Sequence, residues 1–249
     1  MNESALSLRL GLKGFPGVAE DVMIARDIEL ARFTKGKVHI CHVSTARGIE
    51  LVRRAKNDGI NITCEVAPHH LLLNEQCVET YDTSFKMMPP LKGDEDIKGL
   101  IEGLKDGTVD AIASDHAPHH ADSKLVEFSR ATVGILGLQT SLPLLLEMSE
   151  QGVISRKRMV DLLCAGPSRA FGLEYGTLKV GREADVIVVN PTKTWTFATE
   201  EIRSKSKNSP FIGRTLTGYV AHTFVGGRHV VSDGRLVSES EGKVAANSK

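Results

Sequence analysis

The feature that most restricts how this chain can fold is an alternation. Three short apolar runs, Lys37–Val43 (KVHICHV), Ile60–Val66 (INITCEV) and Val109–Ser114 (VDAIAS), are separated by segments with helical periodicity. Gly36 precedes the first run and Ser44-Thr45 follow it, which reads as a strand feeding a helix N-cap. Thr45 to Asn57 is amphipathic and stops at Gly59, and Asp94 to Lys105 stops at Gly107, as glycine-capped helices do. A helix is also predicted over Val18 to Thr34, where Val22, Ile24, Ala25, Ile28, Leu30 and Ala31 fall mainly on one face. Strands joined through helices of this length pair in parallel, because the crossover returns the chain to its starting end.

Polar residues follow each strand directly: His42 at the end of the first, Pro68-His69-His70 after the second, and Asp115-His116-Ala117-Pro118-His119-His120 after the third. The C-terminal ends of parallel strands are where a (β/α)8 barrel carries its chemistry. Three units do not close eight strands, and nothing before residue 36 reads as another. The expected fold is therefore α/β, a partial TIM-like (β/α)8 barrel over residues 1–172. Helices at Gln139–Glu150 and Ser155–Cys164 belong to it. From Tyr175 the texture changes to short strands, Ala184–Val189 and Tyr219–Val225, with turns expected at Gly181, Pro191, Gly218 and Gly226-Gly227. Residues 173–237 read as a small β-subdomain, and 238–249, charged and rich in small residues, as a disordered tail.

Composition removes some function classes. The 31 basic and 31 acidic residues cancel without a basic run, which argues against a nucleic-acid or anionic-membrane partner and for a small-molecule substrate. No apolar stretch approaches the roughly 18–20 residues of a membrane span, and MNESALSLRLG is a poor secretory signal. Cys41, Cys64, Cys77 and Cys164 show no C-x-x-C spacing and read as reduced packing residues, so the expected location is the cytoplasm.

Local reasoning leaves the chemistry open. Strand alternation places His42 on the face of Ile40 and Val38, where it is either a packed imidazole or a ligand. Asp115 is either a turn or N-cap residue or a hard oxygen ligand able to take and return a proton. His119 and His120 are exposed loop histidines or substrate contacts, and packing or loop solvation is favoured for His69 and His70. The glycines of GILGLQ and GLKGFPG do not form a phosphate-binding pattern. Metal-assisted hydrolysis is the one chemistry that several residues support together.

The strings CHVST at Cys41–Thr45, CEVAPHHLLL at Cys64–Leu73, KMMPPLK at Lys86–Lys92 and SDHAPHH at Ser114–His120 occur in that order. With GILGLQTSLPLLLEM, PSRAFGL, YGTLKVGREADVIV and SKSKNSPFIGRTLTG downstream, they resemble the dihydroorotase signatures of the amidohydrolase superfamily, almost to residue 235. The resemblance implies that the partial barrel is the C-terminal part of a TIM-like (β/α)8 metal-dependent hydrolase barrel, that His42 binds the second of two zinc ions, and that Asp115 binds the first and acts as general base. It implies that His119 contacts substrate and that Val133-Gly134 meet the dihydroorotate ring through their backbone. The implied reaction is reversible hydrolysis of (S)-dihydroorotate to N-carbamoyl-L-aspartate in pyrimidine biosynthesis, by zinc-activated hydroxide. The implied partners are the small-molecule substrate, further copies in a homo-oligomer, and aspartate transcarbamoylase.

Two departures accompany the resemblance. The family's His-x-His pair, bridging carboxylate and other second-zinc histidine belong to a region before the one where this chain begins, so the chain alone is expected to be inactive and to hold zinc weakly. Met88 stands where the family's Met-Asn-Pro-Pro pattern has an asparagine that hydrogen-bonds substrate, and a thioether cannot donate that bond. Two alternatives follow: a non-catalytic dihydroorotase-like partner of aspartate transcarbamoylase, or a hydrolase of another cyclic ureide such as a hydantoin.

Overall fold

The structure is a computed structural model that describes residues 1–237; the expected disordered tail lies outside the described residues. Helix α1 (Ala5–Leu10), which the periodicity does not announce, is closed by Gly11 in the left-handed region. Then come α2 (Gly17–Thr34), β1 (Val38–Ile40), α3 (Ala46–Asn57), β2 (Ile62–Val66), α4 (Pro68–Leu72), α5 (Asp94–Asp106) and β3 (Ala111–Ile112). The α/β alternation is as the sequence predicts, and the strands form one parallel sheet in the order β1-β2-β3. All three are shorter than their apolar runs. In β1 the reason is local: the chain leaves the sheet at Ile40 and turns through a left-handed backbone at His42. Thr45 then caps α3, its hydroxyl accepting from the Gly48 N–H at 2.9 Å.

Alternation along the strands separates two faces. Ile40, Ile62, Cys64 and Val66 point to the helices and join Ile49, Val52, Leu100 and Leu104 in one buried core. His39, Thr63 and Glu65 occupy the other face. Helices α3 and α5 approach so closely that a Cβ on Gly99 would stand 2.4 Å from the Ala46 Cβ. Gly99→Ala is therefore expected to destabilise the chain by about 1–3 kcal/mol through overpacking, although alanine is the better helix former. A urea midpoint at or above that of the parent chain would contradict this.

Helix α6 (Leu138–Glu150) matches its expected span. The next helical run does not stop at Cys164: α7 (Arg156–Val160) passes through a π-turn at Asp161–Ala165 into α8 (Gly166–Phe171). The remainder is an antiparallel sheet of β4 (Val186–Thr196), β5 (Thr215–Val225), β6 (Arg228–Ser232) and β7 (Arg235–Leu236). The turns expected at Pro191 and Gly218 are not turns. Pairing skips from Asn190↔Tyr219 to Thr194↔Thr217, so Pro191 sits in a bulge of β4 and Gly218 faces it within β5. A bulge leaves a residue unpaired, which removes the objection to proline inside a strand. Gly226-Gly227 do form the β5–β6 turn. A second buried cluster joins Met87, Leu91, Ile135 and Leu144 to Phe197, Phe211 and Leu216, on both sides of residue 172. Among the described residues no helix is long and apolar enough to cross a membrane.

Candidate active site

The C-terminal ends of the three parallel strands converge. His42 Nε2 lies 3.6 Å from Asp115 Oδ1, and His69 Nε2 lies 3.8 Å from Asp115 Oδ2. His42 has φ 54° and Asp115 has φ 45°. Left-handed backbone at a non-glycine residue is uncommon and costs energy, and it concentrates where side chains must be aimed for function. That turn also corrects the expected placement of His42. Its side chain does not share the face of Ile40 and Val38, since the strand ends before it; Nδ1 instead comes to 3.0 Å from Glu65 Oε1 on the opposite face.

His69 and His70 are not in a loop. Pro68 occupies the first turn of α4, where its missing N–H costs nothing, and both histidines are buried. His70 is a packing residue: Nε2 meets the Pro89 carbonyl at 2.9 Å, and burial holds the imidazole down to about 4. His69 belongs to the site. Burial, with His70 and His42 nearby, holds it well below the usual histidine range, and its buried Nε2 has no hydrogen-bond partner.

Glu65 is the member that sequence reasoning misses. Its carboxylate lies 3.3 Å from His39 Nε2 and 3.0 Å from His42 Nδ1, at ion-pair distance but without hydrogen-bond alignment. Burial works to raise this carboxyl; the two imidazoles outweigh it and hold it down to about 2. The Glu65 contact in turn raises the His42 imidazolium against burial, while burial raises the Asp115 carboxyl. Imidazole nitrogen and carboxylate oxygen at 3.6 Å, on left-handed backbone beside an orphaned ring nitrogen, suit a divalent metal ion. His42 and Asp115 alone are fewer than the three or four protein donors of a tight zinc site.

A second loop packs against the segment that follows Asp115, the Ala117 N–H donating to the Ile135 carbonyl at 2.8 Å. Gly134 has φ 120°, and a Cβ there would stand 2.6 Å from the Ala117 Cβ and 2.9 Å from His119 Nε2, so only glycine permits the approach. Asn208 ties the two loops together: its Oδ1 accepts from the His119 N–H at 3.1 Å, and its Nδ2 donates to the carbonyls of Ala117 and Gly134. The buried Lys124 ammonium donates to the carbonyls of Lys86, Thr132 and Gly134; burial, with Lys86 nearby, pushes it down to about 8. Gly134 N–H is itself given to Lys86 O, while Val133 N–H has no backbone partner among the described residues. Met88, 46% exposed, and Val133 line one small pocket beside this loop. His120 is not drawn in; it is exposed, and its Nδ1 accepts from the Asp122 N–H. A cleft of about 320 Å³ between α6 and the antiparallel sheet, lined by Leu142, Trp195 and Tyr219 among others, contains no histidine, cysteine or aspartate.

A parallel sheet with imidazole and carboxylate donors at its C-terminal end is an arrangement that can hold a metal ion for hydrolysis. The chain belongs to the amidohydrolase family, whose pattern matches residues 6–230. It is similar to the dihydroorotase of Geotalea daltonii, with 49% identity over 92% of this chain and 54% of that protein. It is similar to the dihydroorotase of Anaeromyxobacter sp. strain K, with 48% identity over 94% of this chain and 55% of that protein. The chain thus spans about half the length of the curated relatives it matches. Among solved structures it resembles the L-hydantoinase (dihydropyrimidinase) of Arthrobacter aurescens, with TM-score 0.84 and 31% identity over 88% of this chain and 50% of that one. The dihydropyrimidinase of Brevibacillus agri aligns with TM-score 0.82 and 26% identity, over 89% and 50% respectively.

Proposed function

We propose that this chain carries the C-terminal part of a dihydroorotase barrel and that, once completed, it catalyses the reversible hydrolysis of dihydroorotate to N-carbamoyl-aspartate in cytoplasmic pyrimidine synthesis. The observation that carries the reading is the meeting of His42 and Asp115 at one end of a parallel sheet, with His119 four residues on from Asp115 and packed against Gly134. Zinc bound through His42 and Asp115 would polarise the amide carbonyl and acidify water. Asp115 takes a proton from the attacking water and returns it to the ring nitrogen as the C–N bond breaks. His69, its Nε2 3.8 Å from Asp115 Oδ2, lines the site beside the carboxylate without a hydrogen bond to it. His119 contacts the substrate, and the backbone contact falls to the unpaired Val133 N–H, since both backbone groups of Gly134 are occupied.

The test is a dihydroorotate ring-opening assay on two preparations: the 249-residue chain alone, and the chain fused behind the unmatched half of the Geotalea daltonii dihydroorotase. Turnover is expected only in the fusion. Robust turnover by the chain alone would overturn the division of labour. A well-folded, zinc-loaded fusion without turnover that retains aspartate transcarbamoylase would support the non-catalytic alternative.

Met88 and the hydantoinase-like structures favour a second reading, in which the same chemistry acts on another cyclic ureide. In the fusion, Met88→Asn is expected to lower KM for dihydroorotate by an amount corresponding to about 1 kcal/mol. A gain for a hydantoin instead would favour the second reading.

A further inference from the structure

One buried cation takes no part in the proton transfer. Lys124 is 7% exposed, and a lysine is almost never buried to that extent without partners, because its ammonium gives up strong hydration. Its N–H groups go to three carbonyls: Thr132 at 2.9 Å, Gly134 at 3.0 Å and Lys86 at 3.3 Å. An ammonium has three protons and no lone pair, so this set uses every donor that it has.

The three carbonyls belong to separate segments beside the site. Lys86 lies two residues before Met88, and Thr132 and Gly134 flank Val133, which lines the same pocket as Met88. Lys124 itself follows the single turn Ala121–Ser123 that leaves His120. Its backbone is fixed there, since Thr83 Oγ1 donates to its carbonyl at 2.6 Å and its own N–H donates to Ala121 O at 2.9 Å. One ammonium therefore joins the Met88 segment, the Val133 loop and the segment that continues from His119. Packing alone does not require it, because methionine would fill similar volume without the cost of desolvating a charge. Without the ammonium, Lys86 O would keep the Gly134 N–H and Gly134 O would keep Asn208 Nδ2. The Thr132 carbonyl alone would lose the partner it has among the described residues. What the charge adds is a fixed relation between the three segments.

We propose that Lys124 is a positioning residue for substrate binding: its ammonium fixes the Val133–Gly134 loop against the Met88 and His119 segments, and so holds the Val133 N–H where a cyclic amide is recognised. This role rests on the dihydroorotase reading of the site. The contact is sensitive to protonation. Burial, with Lys86 nearby and against the pull of Asp82, brings Lys124 down to about 8. Above that pH the amine keeps two protons and gains a lone pair, so one of the three carbonyls goes unanswered. The other titratable or charged groups on the surrounding segments are His119 against Gly134, the exposed pairs His120–Asp122 and Glu127–Arg130, and the Met1 amino group near Lys86.

Carbon-13 NMR of the 249-residue chain tests the contact without turnover. The carbonyl carbons of Lys86, Thr132 and Gly134 should titrate together with a midpoint of about 8, a measurement that needs no variant. Lys124→Met should remove that titration, with circular dichroism and the urea midpoint establishing that the variant is folded. In the fusion at pH 7, Lys124→Met should raise KM for dihydroorotate roughly 5–10-fold and leave kcat within about twofold, since the binding lost is common to ground and transition states. KM of the parent fusion should rise by a similar factor between pH 7 and 9, and that of Lys124→Met should not. Carbonyls that do not titrate near 8, a titration that survives in Lys124→Met, or a parental KM in that variant would each overturn the proposal. An inactive parent fusion would count against the dihydroorotase reading, and the carbonyl titration would still decide whether Lys124 holds the loop.

Discussion

Asp115→Asn in the completed fusion is expected to lower the dihydroorotate ring-opening rate by roughly 10²–10⁴-fold, the usual worth of a positioned general base. The substitution suits the question because of the backbone. Asp115 has φ 45°, a region that asparagine tolerates about as well as aspartate, so the strand end should keep its shape. An amide remains close in size to the carboxylate beside His42 and His69 but cannot accept and return a proton. Zinc content measured on the same samples separates lost metal from lost proton transfer: a variant with parental zinc and collapsed kcat identifies the proton acceptor. Parental turnover in Asp115→Asn would show that the role is misassigned.

The second large effect concerns acid stability and can be read on the chain by itself. His70 is 2% exposed and is held down to about 4, against 6.5 for a free imidazole. Above pH 6.5 the ring is neutral in both folded and unfolded chains, and its contribution does not change. Below that, the unfolded chain takes up a proton that the folded chain refuses until about pH 4. Stability is therefore full above 6.5 and is lost progressively as pH falls toward 4, by about 3 kcal/mol from this residue. His70→Gln can still donate to the Pro89 carbonyl and does not titrate. Urea unfolding at pH 7.5 and 4.5 should show the parent losing about 2–3 kcal/mol more than His70→Gln; His69 is held low chiefly by its own burial, which both proteins share. Parallel losses in the two proteins would refute the assignment.

Much of the scaffold was legible because its signals are local. Gly59 and Gly107 end α3 and α5, and β-branched runs between them mark strands whose helical connections require parallel pairing. His42 and Asp115 were legible for a related reason: a polar residue immediately after an apolar strand is carried to one end of the sheet whatever the exact pairing. The resemblance to dihydroorotases is what assigns them roles; the structure shows that they meet, 3.6 Å apart.

Pro191 shows where local signals mislead. Proline beside threonines reads as a turn, yet the pairing of β4 with β5 absorbs it as a bulge, because the sheet needs only that the unpaired position coincide with the missing N–H. Glu65 and His69 mislead in the opposite direction. A single glutamate in an apolar strand, or a histidine after proline, carries no mark of a site; each becomes one only when neighbouring strands bring His39, His42 or Asp115 against it. Asn208 is the extreme case, 89 residues from the His119 amide that it accepts from. The sequence by itself determined the alternating strands and long helices of the α/β part, their parallel pairing and the end at which His42 and Asp115 emerge, since these follow from periodicity and from residues adjacent along the chain. Only the tertiary structure decided which way His42 turns, which carboxylate it meets and how the His119 and Gly134 loops are tied. Those depend on register and on contacts between residues far apart in sequence, which local propensity does not encode.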